Sequence, residues 1–548
     1  MTDRDEYASV RWQRDLTRLA GRRFDALIIG GGINGAGLAR DLALRGLQVA
    51  LVEKSDFASG TSSTSTKLIH GGLRYLETYS FHLVFESQRE RRTLQHIAPH
   101  LVRPLSFLIP VYRGDPRPLW MIRAGLTLYD LLALFRNTHR HSILSAREAL
   151  QQEPVLQDAG LVGVARYWDC RMDDARLCLE NVLAAVEAGA EAANYAEVVE
   201  LVKREGRTCG AIVRDRESGA ELEVEAEVVV NTAGPWLDKV CALDGDTDNK
   251  LRPTRGTHIV VPRISRGGEA LYLSSKSDAR LFFVVPWGDY SLVGTTDVDY
   301  AGDPDAVTPT EDDIDYLLAE SGRHLRDHQL QRQDVLAAFA GLRPLVAEES
   351  VKASRVSREH RIFVSPSGLI SVGGGKYTTY RAMAAEMADL VVRRLGRGQP
   401  DCRTARLPLP GGKTGDFDAY VQDRLAALCG RSGLSPRVME HLLGIYGSRI
   451  DQVLALGRRE PGLLQPVVPG SALLGVQVAY AADFELARTL EDVLRRRSNL
   501  ALEEGRGLAE AEAVAELLGT RLQVPAARQQ EWLQNYRRVT NGQGKEKA

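Results

Sequence analysis

Phe24-Asp25-Ala26-Leu27-Ile28-Ile29-Gly30-Gly31-Gly32-Ile33-Asn34-Gly35-Ala36-Gly37 is an apolar run that breaks into a glycine turn and resumes with helical character. A second apolar run, Val49-Ala50-Leu51-Val52, closes on Glu53. Gly30, Gly32 and Gly35 fit the G-x-G-x-x-G spacing: the first permits a tight turn, the second lets backbone approach a pyrophosphate, and the third lets the helix pack on the strand. The diphosphate then meets a helix N-terminus, whose free N–H groups and positive dipole end favour an anion. Glu53 lies where an acid accepts hydrogen bonds from an adenosine ribose, and its charge repels a 2′-phosphate, which favours FAD or NAD over NADP. A glycine triplet alone recurs in many loops. Strand, turn, helix, strand and acid in this order supply the context that gives it meaning.

Two later stretches end in the same manner, Val228-Val229-Val230-Asn231-Thr232-Ala233-Gly234 and Leu369-Ile370-Ser371-Val372-Gly373-Gly374-Gly375-Lys376. Short continuous apolar runs read as buried parallel strands, and glycines just past them bring backbone to a ligand at the carboxyl edge of the sheet. The three ends predict one nucleotide sheet assembled from distant segments. Between Arg252 and Arg343, runs such as Thr257–Pro262, Leu281–Pro286 and Ser291–Thr295 read as antiparallel strands. After Leu407-Pro408-Leu409-Pro410-Gly411-Gly412 the period becomes helical, around Tyr420 to Cys429, Val438 to Tyr446, Phe484 to Arg497 and Leu508 to Leu518. The expected class is therefore α/β plus α+β, with a Rossmann-like cofactor domain, an antiparallel-sheet substrate domain and a C-terminal all-helical domain. The expected segments are an N-terminal extension 1–21, cofactor-domain parts 22–100, 166–245 and 351–405, a substrate- or membrane-facing segment 101–165, a substrate domain 246–350 and a helical domain 406–548 acting as a cap or contact surface.

The chain has 548 residues, 44% apolar and 26% charged, a composition of ordinary globular domains, roughly two to four in number. A net charge of −2 supplies no global attraction to nucleic acid or anionic lipid. Six cysteines without a C-x-x-C pair suit a reducing compartment and argue against a metal site. Met1-Thr2-Asp3-Arg4-Asp5-Glu6 lacks the apolar core of a signal peptide, so a cytoplasmic location is expected. No apolar run reaches the roughly 20 residues of a spanning helix; the best stretch, Leu119 to Phe135, is broken by Arg123 and Asp130.

Gly30 to Gly37, Thr61-Ser62-Ser63-Thr64-Ser65-Thr66, Lys67-Leu68-Ile69-His70-Gly71-Gly72-Leu73-Arg74-Tyr75, Asn231 to Trp236, Gly294-Thr295-Thr296-Asp297, Gly341-Leu342-Arg343-Pro344, Gly373 to Tyr380 and Thr489 to Arg497 together resemble the FAD-dependent respiratory glycerol-3-phosphate dehydrogenases, in preserved order over nearly the whole chain. The resemblance implies oxidation of sn-glycerol 3-phosphate to dihydroxyacetone phosphate, with FAD as cofactor and a membrane quinone as electron acceptor. It places substrate contacts at Arg74, Tyr75, Arg343, Arg358 and Lys376, where guanidinium and ammonium groups answer a phosphate dianion. Arg355 and Arg358 are both near enough to serve, and the resemblance selects the second. Cofactor contacts are expected at Gly30, Gly32, Asn34, Gly35, Glu53, Thr61, Ser62, Ser63, Lys67, His70, Gly234, Gly374, Gly375 and Thr378.

Alcohol oxidation needs a base for the hydroxyl proton. Arginine holds its proton too tightly, whereas His70 and His258 carry imidazoles whose unperturbed pKa lies near neutrality. His258 is expected as the base and His70 as an orienting group, with Arg343 alongside them in the catalytic set. A quinone-linked enzyme without a spanning helix needs an interfacial segment. Residues 117–141 are the candidate: Arg123, Thr127, Asp130 and Asn137 fall on one helix side, with Trp120, Met121, Leu128, Leu131, Leu132 and Phe135 largely opposite and Arg117, Arg136, Arg140 and His141 at the ends. The expected location is peripheral, on the inner face of the cytoplasmic membrane, with no nucleic-acid partner. Three rivals stand beside this reading: a soluble glycerol-3-phosphate oxidase using oxygen, an FAD-dependent amine or amino-acid oxidase, and a non-catalytic flavin-binding module. A homodimer, the quinone type and the surroundings of Arg495-Arg496-Arg497 are left open.

Overall fold

The computed structural model describes residues 12, 14–76, 79–134, 137–326, 330–347, 359–398 and 400–541, without the side chains of Arg74 and Asn541. Its first sheet runs in the order His360–Val364, Ile370–Gly374, Glu221–Asn231, Arg23–Ile29, Val49–Val52, Glu191–Ala193. All neighbours are parallel except the first pair. Ile28 pairs with Val230 and Val230 with Ile370, so the three strands picked out by their glycine ends are adjacent and finish at one edge. These strands carry continuous apolar runs because both faces are covered. Helices Ile33–Leu44, Asp174–Glu187 and Tyr380–Arg394 contribute to the core on one face, and the hairpin Ala196–Arg204/Arg207–Asp215 to the core on the other.

The second sheet centres on Thr254–Pro262, flanked by Tyr290–Gly294 and Ala337–Arg343. It continues through Leu281–Trp287 and Ala270–Ser274 to Arg103–Tyr112, Leu161–Arg171 and Leu68–Ile69. The sheet thus recruits residues well before Arg252. Leu161–Arg171 belongs to it along its whole length, crossing position 166, where the sequence reading began a cofactor segment.

The tail is helical, with Phe417–Ser432, Pro436–Tyr446, Ile450–Arg459, Gly475–Phe484, Ala511–Leu522 and Ala526–Asn541. One expectation needs correction: Phe484 to Arg497 is not one helix. The helix ends at Phe484, Leu486 takes a left-handed φ of 55°, and a π-helical turn forms over Asp492–Arg497. That turn faces the nucleotide domain, where Arg496 and Arg497 both pair with buried Asp56. Asp56 is held below the usual carboxylate range despite the opposing cost of burial, because two guanidiniums face it. Arg176 of the nucleotide domain likewise pairs with Glu485. Removing one partner of such a buried pair costs about 3–5 kcal/mol, so the helical domain is clamped to the cofactor domain. The basic triplet contributes two of its three arginines to this clamp, and Arg495 pairs with Glu491.

Candidate active site

The nucleotide turn sits where the first sheet's strands end. Gly30 adopts φ 107°, and a Cβ there would press on Thr232 O at 2.8 Å. A Cβ on Gly35 would collide with Gly30 O and Thr232 Oγ1, so the helix Ile33–Leu44 can approach only because that position is glycine. Thr232 Oγ1 donates to Ile29 O or Gly30 O, tying the neighbouring strand to the turn. Gly32 is the helix N-cap and Asn34 lies in its first turn. Ser62 Oγ accepts from Ile33 N at 2.9 Å, which leaves its own proton for an anion at the helix terminus. Glu53 accepts from Gly31 N at 2.7 Å and Ser55 N at 2.9 Å; burial raises its pKa and these two donors oppose the rise. Helix terminus, glycine cradle and acid fit a dinucleotide.

Other expected cofactor residues are more engaged. Thr61 Oγ1 donates to Leu342 O at 2.6 Å, bracing the serine loop against the second sheet. Ser63 is buried beside Gly60. Lys67 is buried in an ion pair with Asp174. Gly234 opens the 3-10 turn Gly234–Trp236 with φ 55°, and Gly374 and Gly375 also have positive φ. His70 N donates to Thr378 Oγ1 and the Thr378 hydroxyl faces His70 O, both at 3.2 Å, joining the His70-Gly71-Gly72 loop to the end of the third strand.

Gly374 N donates to Pro344 O at 2.9 Å, which sets Arg343 beside the strand that leads to Lys376. Arg343 contacts Asp297 Oδ1 at 3.2 Å and Thr295 Oγ1 at 3.0 Å. A Cβ on Gly256 would strike its guanidinium, so that glycine makes the room. Lys376 Nζ lies 3.6 Å from the ring centroid of Tyr75. The side chain of Arg74 and all of Arg358 lie outside the described residues.

His258 is buried on the central strand. Its ring stacks on Phe339 at 5.0 Å, and Nε2 lies 2.9 Å from Thr66 Oγ1. Its pKa departs from the unperturbed, near-neutral value: burial first, then the charges of Arg343 and Lys67, push it down to about 3. The imidazole is therefore neutral at physiological pH.

Asp297, Thr66 and Phe339 escaped the sequence reading as site residues. The Gly294–Asp297 turn was the visible signal for the first. A fourth unforeseen feature lies behind Gly71, whose N–H donates to Asp169 Oδ1 at 3.1 Å. Arg91 and Tyr129 OH converge on the same carboxylate. Tyr129 belongs to the helix Leu119–Leu132, part of the segment expected at the membrane interface. Asp130 is buried, accepting from Asn137 Nδ2 at 2.6 Å and contacting His141 Nδ1 at 2.7 Å, while Trp120, Met121 and Leu131 are exposed. Packing against the sheet buries Leu126, Tyr129 and Asp130, and of the apolar residues Trp120, Met121 and Leu131 point outward while Leu128 and Leu132 are half-buried. Among the described residues no helix is long and apolar enough to cross a membrane.

Comparison with known proteins agrees with this architecture. A family model described as FAD dependent oxidoreductase matches residues 25–390, and one described as C-terminal domain of alpha-glycerophosphate oxidase matches 402–529. A glycerol-3-phosphate dehydrogenase of Synechocystis sp. is 42% identical over 507 residues, covering 89% of this chain and 91% of its own. The aerobic glycerol-3-phosphate dehydrogenase of Bacillus subtilis is 38% identical, covering 82% of each chain. The crystal structure of glycerol-3-phosphate dehydrogenase from Bacillus halodurans, complexed with FAD, superposes with a TM-score of 0.80 at 31% identity over 96% of both chains. The chain belongs to the FAD-dependent glycerol-3-phosphate dehydrogenase family.

Proposed function

We propose that this protein oxidises sn-glycerol 3-phosphate to dihydroxyacetone phosphate at the edge where the two sheets meet, and that it works at a membrane surface. The observation that carries this reading is the Gly374–Pro344 bond, which brings Arg343 and Lys376 to the carboxyl edge of the nucleotide sheet. FAD held at this edge would supply the hydride acceptor for the carbinol carbon and the electrons for a membrane quinone. In this reading Gly30, Gly32, Asn34 and Gly35 with Ser62 and Ser63 hold the diphosphate, Glu53 the ribose, and Thr61, Lys67, His70, Gly234, Gly374, Gly375 and Thr378 shape the remaining wall. Arg343, Lys376, Arg74 and Arg358 bind the phosphate, and Tyr75, under Lys376, meets a substrate oxygen.

His258 Nε2 takes the hydroxyl proton, because it faces Thr66 and the loop leading to His70, whereas Nδ1 is buried without a partner among the described residues. A neutral imidazole is the form that can accept a proton. A phosphate dianion on Arg343 offsets the charge that depresses His258, so substrate binding strengthens the base. His70 orients the substrate from the loop joined to Thr378. The decisive experiment is anaerobic addition of glycerol 3-phosphate to the holoprotein: loss of the flavin absorbance is expected, followed by its return on adding a quinone. An absorbance that does not change would overturn the reading.

Tyr129 is a positioning residue in this scheme. Tyr129→Phe removes a donor to the carboxylate that holds Gly71, an effect of about 1.5–3 kcal/mol for a bond to a charged group. The expected result is a lower Tm and a higher KM for glycerol 3-phosphate with FAD content retained. An unchanged KM would confine Tyr129 to packing.

The outward stripe Trp120, Met121 and Leu131 supports attachment to the headgroup layer, on the cytoplasmic face, and extends toward exposed Leu134. Trp120→Glu with Leu131→Glu is expected to abolish cosedimentation with liposomes while leaving flavin reduction intact. Full cosedimentation of the double variant would move the membrane face elsewhere.

A further inference from the structure

We propose that a second anion site, for a phosphate group, lies in a cavity of about 310 Å³ lined by Arg103, Arg171, Arg263, Gly268, Pro286 and Gly288. Arg103 and Arg171 are direct partners across the antiparallel pair Arg103–Tyr112/Leu161–Arg171. Side chains so placed share one face of the sheet, and like charges there are destabilising. Arg263 follows the strand Thr254–Pro262 and brings a third guanidinium to the same space. Among the described residues no carboxylate lines the cavity. Of the three guanidiniums only Arg103 has a carboxylate partner among the described residues, Asp418, so the cluster as a whole favours an anion from outside the chain.

The three side chains are differently held. Arg263 donates Nε to Ser265 O at 2.9 Å and Nη1 to Gly288 O at 2.7 Å, so its fork is fixed by backbone. Arg103 reaches the helical domain, where it pairs with Asp418, a largely exposed carboxylate, and lies 5.0 Å from the centroid of the Phe417 ring. Arg171 has neither a hydrogen bond nor an ion pair from its side chain among the described residues. Arg171 is solvent-exposed at the cavity mouth, and partial desolvation by the surrounding protein, with the charges of Arg103 and Arg263, holds it below the usual arginine range. Guanidinium forks match phosphate oxygens two at a time, and the volume is at the low end of small-molecule sites, ~300–1,000 Å³. None of the lining residues belongs to the active site. Arg263 is five residues beyond His258, roughly 16 Å along an extended strand at ~3.3 Å per residue. A free phosphorylated compound and a phospholipid headgroup share this chemistry.

The test titrates inorganic phosphate into the holoprotein by calorimetry at fixed ionic strength, comparing the wild type with Arg171→Gln/Arg263→Gln. The wild type is expected to show a phosphate site besides the active site, and the variant to lose it or weaken it at least tenfold, with the KM for glycerol 3-phosphate within twofold of wild type. Identical isotherms would overturn the proposal. Arg171→Met alone serves if the double variant does not fold: its Tm in phosphate-free buffer should rise as the opposed charges are relieved, and the increase that phosphate produces should shrink. An undiminished phosphate effect on Tm would again overturn it. Given a lost site, phosphatidylglycerol vesicles identify the source. Weaker cosedimentation of the variant assigns the site to headgroups, and equal cosedimentation assigns it to free phosphate compounds.

Discussion

His258→Ala slows anaerobic flavin reduction by glycerol 3-phosphate by about 10²–10⁴-fold, the range a positioned base contributes, while the flavin stays bound. The pH profile sharpens the test. With its pKa pushed down to about 3, His258 in the free protein is deprotonated at every pH above that value, and its acid limb in kcat/KM falls near pH 3. Between roughly pH 5 and 8, kcat/KM therefore carries no inflection from His258, in the wild type or in the variant. In kcat the substrate's dianion offsets the charges of Arg343 and Lys67 but not the burial, so the limb moves up from pH 3 in the wild type and vanishes in His258→Ala. Stopped-flow reduction across this range checks both parts. A loss smaller than tenfold would remove His258 as the base, and a persisting kcat limb would assign that limb to another group.

Arg343→Gln is expected to lower kcat/KM by about 10²–10⁴-fold, since two charge-assisted bonds of ~1.5–3 kcal/mol each are lost and every ~1.4 kcal/mol is tenfold. Part of the effect falls mainly on KM, because the phosphate is held in the ground state as well. Arg343 also contacts Asp297, so the single variant mixes substrate binding with the loss of an internal ion pair. Arg343→Gln/Asp297→Asn separates them. The double variant should regain thermal stability and remain as poor in kcat/KM as the single one. Recovery of activity in the double variant would reduce Arg343 to a support for the Gly294–Asp297 turn. Arg343→Lys, which keeps the charge and loses the planar fork, should fall between wild type and Arg343→Gln.

These experiments bear on features that were legible to different degrees. Gly30, Gly32 and Gly35 announced the nucleotide turn because close approach and positive φ are demands placed on single residues. The three glycine-ended strands were readable because a strand covered on both faces carries a continuous apolar run wherever it sits in the chain. The inner side of the helix Leu119–Leu132 was not legible, since a buried Asp130 is tolerable only with Asn137 and His141 beside it, and that company is set by the fold. The segment Phe484 to Arg497 kept a helical period although Leu486 breaks the helix. Pairing with Asp56, far away in sequence, holds the turn that follows.

Local chemistry was enough to specify the nucleotide sheet, the cofactor cradle and the identity of the basic residues, because turn geometry, periodicity and side-chain type are properties of short segments. The fold alone decided that Gly374 bonds Pro344 and so brings Arg343 toward Lys376, that Asp169 holds Gly71, and that His258 is neutral. Desolvation and Coulomb interaction depend on which groups lie within a few ångströms. Here those neighbours, Phe339, Arg343 and Lys67, arrive from strands and loops widely separated along the chain.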